Sequence, residues 1–129
     1  MKKFIFLFFL ATTLYACQQQ SSKQPGPDGS FNIVLSVPEY QDLIARGGIQ
    51  LVDVRTPQEF AEGHIDGAVN INVEDEKFQN VVQSTLKKDQ PVAVYCRTGS
   101  RSEMAREMLV KMGYNQLYDL KGGYLAWPK

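Results

Sequence analysis

The stretch Pro91-Val92-Ala93-Val94-Tyr95-Cys96-Arg97-Thr98-Gly99-Ser100-Arg101 decides how this chain is read. Its first five residues are apolar, with two β-branched valines and an aromatic, which is the pattern of a buried strand. The following six mix charge, small polar residues and a glycine, so they turn the chain and bring it toward solvent. Beyond them Met104, Ala105, Met108, Leu109 and Met112 recur at helical spacing until Gly113. Strand, glycine-containing loop and helix in this order put Cys96 at the carboxyl end of a strand, where open α/β sheets form their binding crevices. The loop's N–H groups then lie at a helix N-terminus, a natural anion site to which Arg97 and Arg101 add full charges. Such surroundings favour a thiolate and make Cys96 a reactive nucleophile without a histidine base. The one histidine, His64, sits in a turn signal far along the chain. The methionine-rich helix face reads as core, with no ligand or metal assigned to it.

Working outward, short β-rich runs alternate with helical stretches, the pattern of an α/β domain with a mostly parallel sheet. Ile33-Val34-Leu35 reads as a first strand, and Ser36-Val37-Pro38-Glu39 as a capping box opening a helix that stops at Gly47-Gly48. Gln50 to Val54 is a second strand. Thr56-Pro57-Gln58-Glu59 repeats the capping box with proline at the first helical position. Ala68 to Ile71 is a third strand, and Lys77 to Leu86 carries Phe78, Val81, Val82 and Leu86 as a helical stripe. Gln116 to Asp119 is the last strand, after Pro91 to Tyr95.

The chain has 129 residues, 43% hydrophobic and 22% charged, with 14 basic and 14 acidic side chains. That composition suits one folded domain and gives no field to attract nucleic acid. The N-terminus differs in kind. Met1-Lys2-Lys3, the apolar run Phe4 to Leu10 and the small-residue approach to Ala16 follow the order of a secretory signal, and the run is too short to span a bilayer. Leu14-Tyr15-Ala16-Cys17 resembles a bacterial lipobox, which implies lipidation at Cys17 and a new N-terminus there. Residues 1–16 are then a leader, 17–30 a polar flexible tether and 31–129 the folded domain. Loss of Lys2 and Lys3 leaves 12 basic against 14 acidic side chains, a net charge of −2. Lipidation consumes Cys17, so no disulfide with Cys96 is expected. The expected location is the cell envelope, anchored to a membrane and facing the periplasm; Gln18 after the lipidated cysteine leans toward the outer membrane.

Three motifs in order resemble the rhodaneses, a sulfurtransferase family. They are Leu51-Val52-Asp53-Val54-Arg55 with Glu59-Phe60 and Gly63-His64-Ile65-Asp66-Gly67-Ala68, then Tyr95-Cys96-Arg97-Thr98-Gly99-Ser100-Arg101, then Leu120-Lys121-Gly122-Gly123-Tyr124 with Trp127. The resemblance implies a small five-stranded parallel sheet with helices on both sides. It implies that Cys96 takes sulfur from a small-molecule donor such as thiosulfate and holds it as a persulfide. The N–H groups of Arg97, Thr98, Gly99, Ser100 and Arg101 would cradle that sulfur, and the two guanidinium groups would attract the donor's oxyanion. The acceptor is cyanide or a thiol, including a thiol on a protein, and no cofactor is implied. Asp53 and Arg55 are expected to pair with the loop or with Glu59, His64 to order a turn, Gly122-Gly123 to pass close to the loop, and Trp127 to cap the core.

Two rivals remain at this stage. A related branch of the fold contains phosphatases and arsenate reductases, whose loops place five residues between cysteine and arginine; here only four separate Cys96 from Arg101. A non-enzymatic module that keeps the fold for binding is the other.

Overall fold

The computed structural model describes residues 25–129, so the leader, Cys17 and most of the tether lie outside the described residues. Residues 26–30 close a turn in which the Gly29 amide donates to the Gly26 carbonyl at 2.9 Å, and Phe31 then enters the sheet by donating to the Asn115 carbonyl at 2.8 Å.

Five strands, β1 (Phe31–Leu35), β2 (Gln50–Asp53), β3 (Val69–Asn70), β4 (Val92–Tyr95) and β5 (Gln116–Leu120), lie in the order β1-β5-β4-β2-β3. Every pairing is parallel. The helices between and after them are α1 (Val37–Arg46), α2 (Pro57–Glu62), α3 (Phe78–Thr85), α4 (Ser100–Lys111) and α5 (Gly123–Ala126). This is the five-stranded parallel α/β fold the sequence implies.

Side-chain alternation along the strands divides the core in two. Val52, Val54, Val92, Val94, Cys96 and Leu117 face α3 and α4, which contribute Phe78, Val82, Ala105 and Leu109. Leu51, Ala93, Tyr95 and Leu120 face the other way, against Tyr40 of α1 with Tyr124 and Trp127 alongside. Each large aliphatic side chain so buried contributes roughly 1.5–3 kcal/mol before entropy is counted. β4 is buried along its whole length, as a central strand covered on both faces must be.

Both capping boxes form. The Ser36 hydroxyl accepts from the Glu39 amide while Glu39 accepts from the Ser36 amide, and Thr56 with Glu59 does the same. Two helical stripes differ from expectation. In α4 the buried line is Ser102, Ala105 and Leu109, spaced three and four apart, so Met104 falls off it and is 42% exposed. In α3 the line is Phe78 and Val82, continuing to Leu86, and Val81 faces outward. The segment Gly123–Ala126, expected only as a close-passing loop, makes the short helix α5. Among the described residues no helix is long and apolar enough to cross a membrane.

Candidate active site

Cys96 directly follows β4, on the strand face that carries Val92 and Val94. That alternation corrects one expectation. Arg97, Thr98 and Ser100 are exposed as the loop composition requires, but the cysteine itself is only 1% exposed because its side chain continues the inward row of the strand. The sulfur therefore sits at the bottom of the loop and packs with the α4 side of the core.

The loop between β4 and α4 bends back over this sulfur. The Gly99 N–H donates to Cys96 Sγ at 3.0 Å. It does so from φ +127°, ψ −20°, a conformation that residues with a Cβ rarely adopt. On the core side Sγ lies 3.4 Å from the Ser102 hydroxyl, at hydrogen-bonding distance for a thiol. Ser102 is fully buried and also reaches the Gly99 carbonyl and the Asp119 carboxylate, each at 3.0 Å.

α5 fixes the loop from outside. The Tyr124 N–H donates to the Cys96 carbonyl at 2.8 Å and the Leu125 N–H to the Arg97 carbonyl at 3.1 Å. Gly123 permits this approach: a Cβ there would lie 2.4 Å from the Arg97 carbonyl oxygen and 2.7 Å from that of Cys96. The expected close passage of Gly122-Gly123 is thus present, with a specific task. It holds the first loop carbonyls outward.

The two loop arginines have different surroundings. Arg101 is bound in parallel by Glu59, Nη1 to Oε2 at 2.7 Å and Nη2 to Oε1 at 2.8 Å. This fork-to-fork pair ties α4 to α2, and Glu59 closes its capping box with the same Oε2. The Arg101 hydrogen bond, followed by burial acting in the opposite sense, brings the Glu59 carboxyl down to about 2. The guanidinium that the sequence reading aimed at an oxyanion is therefore engaged elsewhere. Arg97 is exposed and lines a cavity of about 320 Å³ with Arg55, Glu59, Glu62, Gly63, Tyr124, Leu125 and Lys129. It supplies positive charge at the loop's mouth.

Asp53 and Arg55 pair with each other instead of with the loop or Glu59. Both are buried, Arg55 Nε reaches both carboxylate oxygens at 3.0 Å, and Nη2 continues to the Gly63 carbonyl at 2.7 Å. The Arg55 guanidinium also lies 4.3 Å from the centre of the Tyr124 ring, so it joins the end of β2 to the turn after α2 and to α5. His64 orders its turn as expected, with Nδ1 2.8 Å from the Phe60 carbonyl and its ring stacked on Phe60. Trp127 packs edge-on against Tyr40.

The sequence reading missed Ser102 and Asp119 as neighbours of the sulfur. In the sequence Ser102 stands out only as the position where the related phosphatases carry their arginine. Asp119 carried a signal, an acidic residue within the otherwise apolar end of β5, that strand patterning alone could not connect to Cys96.

Comparison with known proteins agrees with this geometry. The chain is 42% identical to the Bacillus subtilis protein YqhL over 78 residues, which span 60% of each protein. It is 34% identical to thiosulfate sulfurtransferase GlpE of Shewanella oneidensis, covering 72% of this chain and 89% of that one. The solved structure of the human single-domain sulfurtransferase TSTD1 superposes with a TM-score of 0.61 at 30% identity, covering 73% of this chain and 93% of that one. The family model for the rhodanese-like domain matches residues 36–129, and the chain belongs to that family.

Proposed function

We propose that this protein is a sulfurtransferase that carries sulfur as a persulfide on Cys96. The observation that carries the reading is the Gly99 N–H donated to Sγ inside a loop with only four residues between Cys96 and Arg101. In the first half-reaction the Cys96 thiolate attacks the outer sulfur of a donor such as thiosulfate. A sulfur–sulfur bond forms on Cys96 as the donor's own S–S bond breaks, and sulfite leaves with that bond's electron pair. In the second half-reaction an acceptor nucleophile, cyanide or a thiolate, attacks the outer sulfur and Cys96 leaves as the thiolate. The Gly99 N–H stabilises negative charge on the sulfur, and Arg97 draws the anionic donor to the mouth.

The phosphatase alternative is disfavoured by two features. The loop is one residue short of the ring that surrounds a phosphate, and Arg101, the loop's last arginine, is held by Glu59. The test is to assay one preparation for thiocyanate formation from thiosulfate and cyanide and for hydrolysis of an aryl phosphate. Sulfur transfer should dominate and vanish in Cys96→Ala. A phosphatase rate that equals or exceeds it, and is lost in Cys96→Ser, overturns the proposal.

The same proposal places the domain at the cell envelope, lipidated on Cys17 and tethered by the polar segment behind it. The order of charge, apolar run and Leu14-Tyr15-Ala16-Cys17 supports this. Cys17→Ser should release the protein from washed membranes, and full recovery of the unmodified protein in the soluble fraction would refute the anchor.

A further inference from the structure

Behind the sulfur lies a buried row of polar groups that the reaction above does not use. Cys96 Sγ is 3.4 Å from Ser102 Oγ, and Ser102 Oγ is 3.0 Å from Asp119 Oδ2. The three residues are 1%, 0% and 3% exposed. The sheet register creates the row: Asp119 of β5 stands opposite Val94 of β4, two residues before Cys96 and on the same face, while Ser102 enters from the first turns of α4.

Ser102 has one hydroxyl proton and three neighbours able to accept it, namely Sγ, the Gly99 carbonyl and Asp119. While Cys96 is a thiol, the Ser102 proton goes to the carboxylate or the carbonyl, and the S–H points to the Ser102 oxygen. A thiolate reverses the demand, because it then needs the Ser102 proton. Two negative charges this close in the core are unfavourable, so formation of the thiolate favours a protonated Asp119.

We infer that Ser102 and Asp119 take up the Cys96 proton from the core side, so that cysteine and aspartate share one proton through the serine hydroxyl. The S–H bond breaks with its electron pair left on sulfur. Ser102 Oγ receives that proton as its own passes to Asp119 Oδ2, and the carboxylate becomes a carboxylic acid with no change in the charge of the row. When the thiolate next becomes a thiol, the two transfers run backward. Ser102 touches the reacting atom and is a catalytic residue; Asp119 acts through it and is a positioning residue. The inference rests on the reading of Cys96 as nucleophile.

The surroundings of Asp119 fit this role. Its Oδ1 has no hydrogen-bond partner among the described residues, so the carboxylate is incompletely satisfied. Arg106 Nε of α4 lies 2.9 Å from Oδ2, yet its N–H is not aligned for a hydrogen bond. Burial pushes the carboxyl above its ordinary value, while Arg106 and Ser102 pull it back. Across the sheet, on its other face, the fully buried Tyr40 hydroxyl of α1 donates to the Val94 carbonyl, and from the first turn of α4 Arg101 adds positive charge near Cys96.

The test is the thiolate absorbance near 240 nm of the full chain, with the Cys96→Ser spectrum subtracted so that Cys17 and the tyrosines cancel, followed against pH. Unmodified protein should gain thiolate in two steps separated by a plateau, the behaviour of two sites sharing a proton. Asp119→Asn should give one step, Ser102→Ala should lose the lower step, and Ser102→Thr should restore it. Single-turnover persulfide formation from thiosulfate at neutral pH should fall about 100-fold in Ser102→Ala. A single step in the unmodified protein, or a curve unchanged in a cooperatively melting Asp119→Asn, overturns the inference. If Asp119→Asn does not fold, an unchanged Ser102→Ala curve overturns it alone. Absence of persulfide in the unmodified protein would instead refute sulfur transfer, and the absorbance curve would still decide the shared proton.

Discussion

Gly99 concentrates the chemistry of the loop in one backbone conformation. Its positive φ turns its N–H onto Sγ, and a residue with a Cβ would relax by rotating that amide away. Gly99→Ala should therefore lower kcat for sulfur transfer about 100-fold, the scale of one lost anion-stabilising donor, with a smaller effect on stability. Steady-state kinetics beside a thermal melt checks it; an unchanged kcat would show that this amide does not stabilise the reacting sulfur. Arg55 makes the opposite case, a charge at the end of β2 whose contacts are structural. Arg55→Ala leaves the Asp53 carboxylate buried without its cation and should cost about 3–5 kcal/mol, read as a large fall in the denaturant midpoint. A midpoint unchanged from the parent would show that the pair contributes nothing to the fold. At this scale Cys96 was legible from its flanks, but its burial was not, because loop composition reports exposure of the segment and strand parity sets the direction of the side chain.

At the scale of elements, two short helices hold the loop. α5 binds its first carbonyls, and Gly123→Ala would drive a Cβ into the Arg97 carbonyl. The expected cost is about 2–3 kcal/mol, or a fall in Tm on the order of 10 °C for a domain of this size, accompanied by lost activity. An unchanged Tm with full activity would remove α5 from the account. α2 holds the other end through Glu59 and Arg101. The Glu59 carboxyl sits below its unfolded value of about 4.3, so the pair's contribution is complete above that pH and is lost as pH falls toward about 2. Melting temperature against pH should drop through that window in the parent and less steeply in Glu59→Gln; parallel curves would refute the linkage. Both capping boxes were readable because their chemistry is local, Ser36 with Glu39 and Thr56 with Glu59. α5 was not readable, since four residues carry no helical period and their structure follows from hydrogen bonds to a distant loop. Met104 and Val81 were misplaced for a related reason: helical spacing admits neighbouring stripes, and only the packed sheet selects one.

At the scale of the whole molecule, the parallel order β1-β5-β4-β2-β3 places β4 in the middle of the sheet, so its carboxyl end is surrounded by the ends of β2 and β5 and by three helices. That arrangement brings two separate stretches together: Cys96, Gly99 and Ser102 from the loop and the start of α4, and Asp119 and Gly123 from β5 and α5. The fold class was legible from motif order, and so was the place of Cys96 at the carboxyl end of a central strand. The meeting of Cys96, Ser102 and Asp119 was not, because it depends on strand register, which no local pattern encodes. The central claim is that Cys96 carries sulfur covalently, and mass spectrometry of the protein after brief treatment with thiosulfate tests it most directly. The account predicts a gain of one sulfur atom on the Cys96 peptide, absent in Cys96→Ser and removed by cyanide with formation of thiocyanate. An unmodified Cys96 peptide from protein that turns over thiosulfate would contradict it.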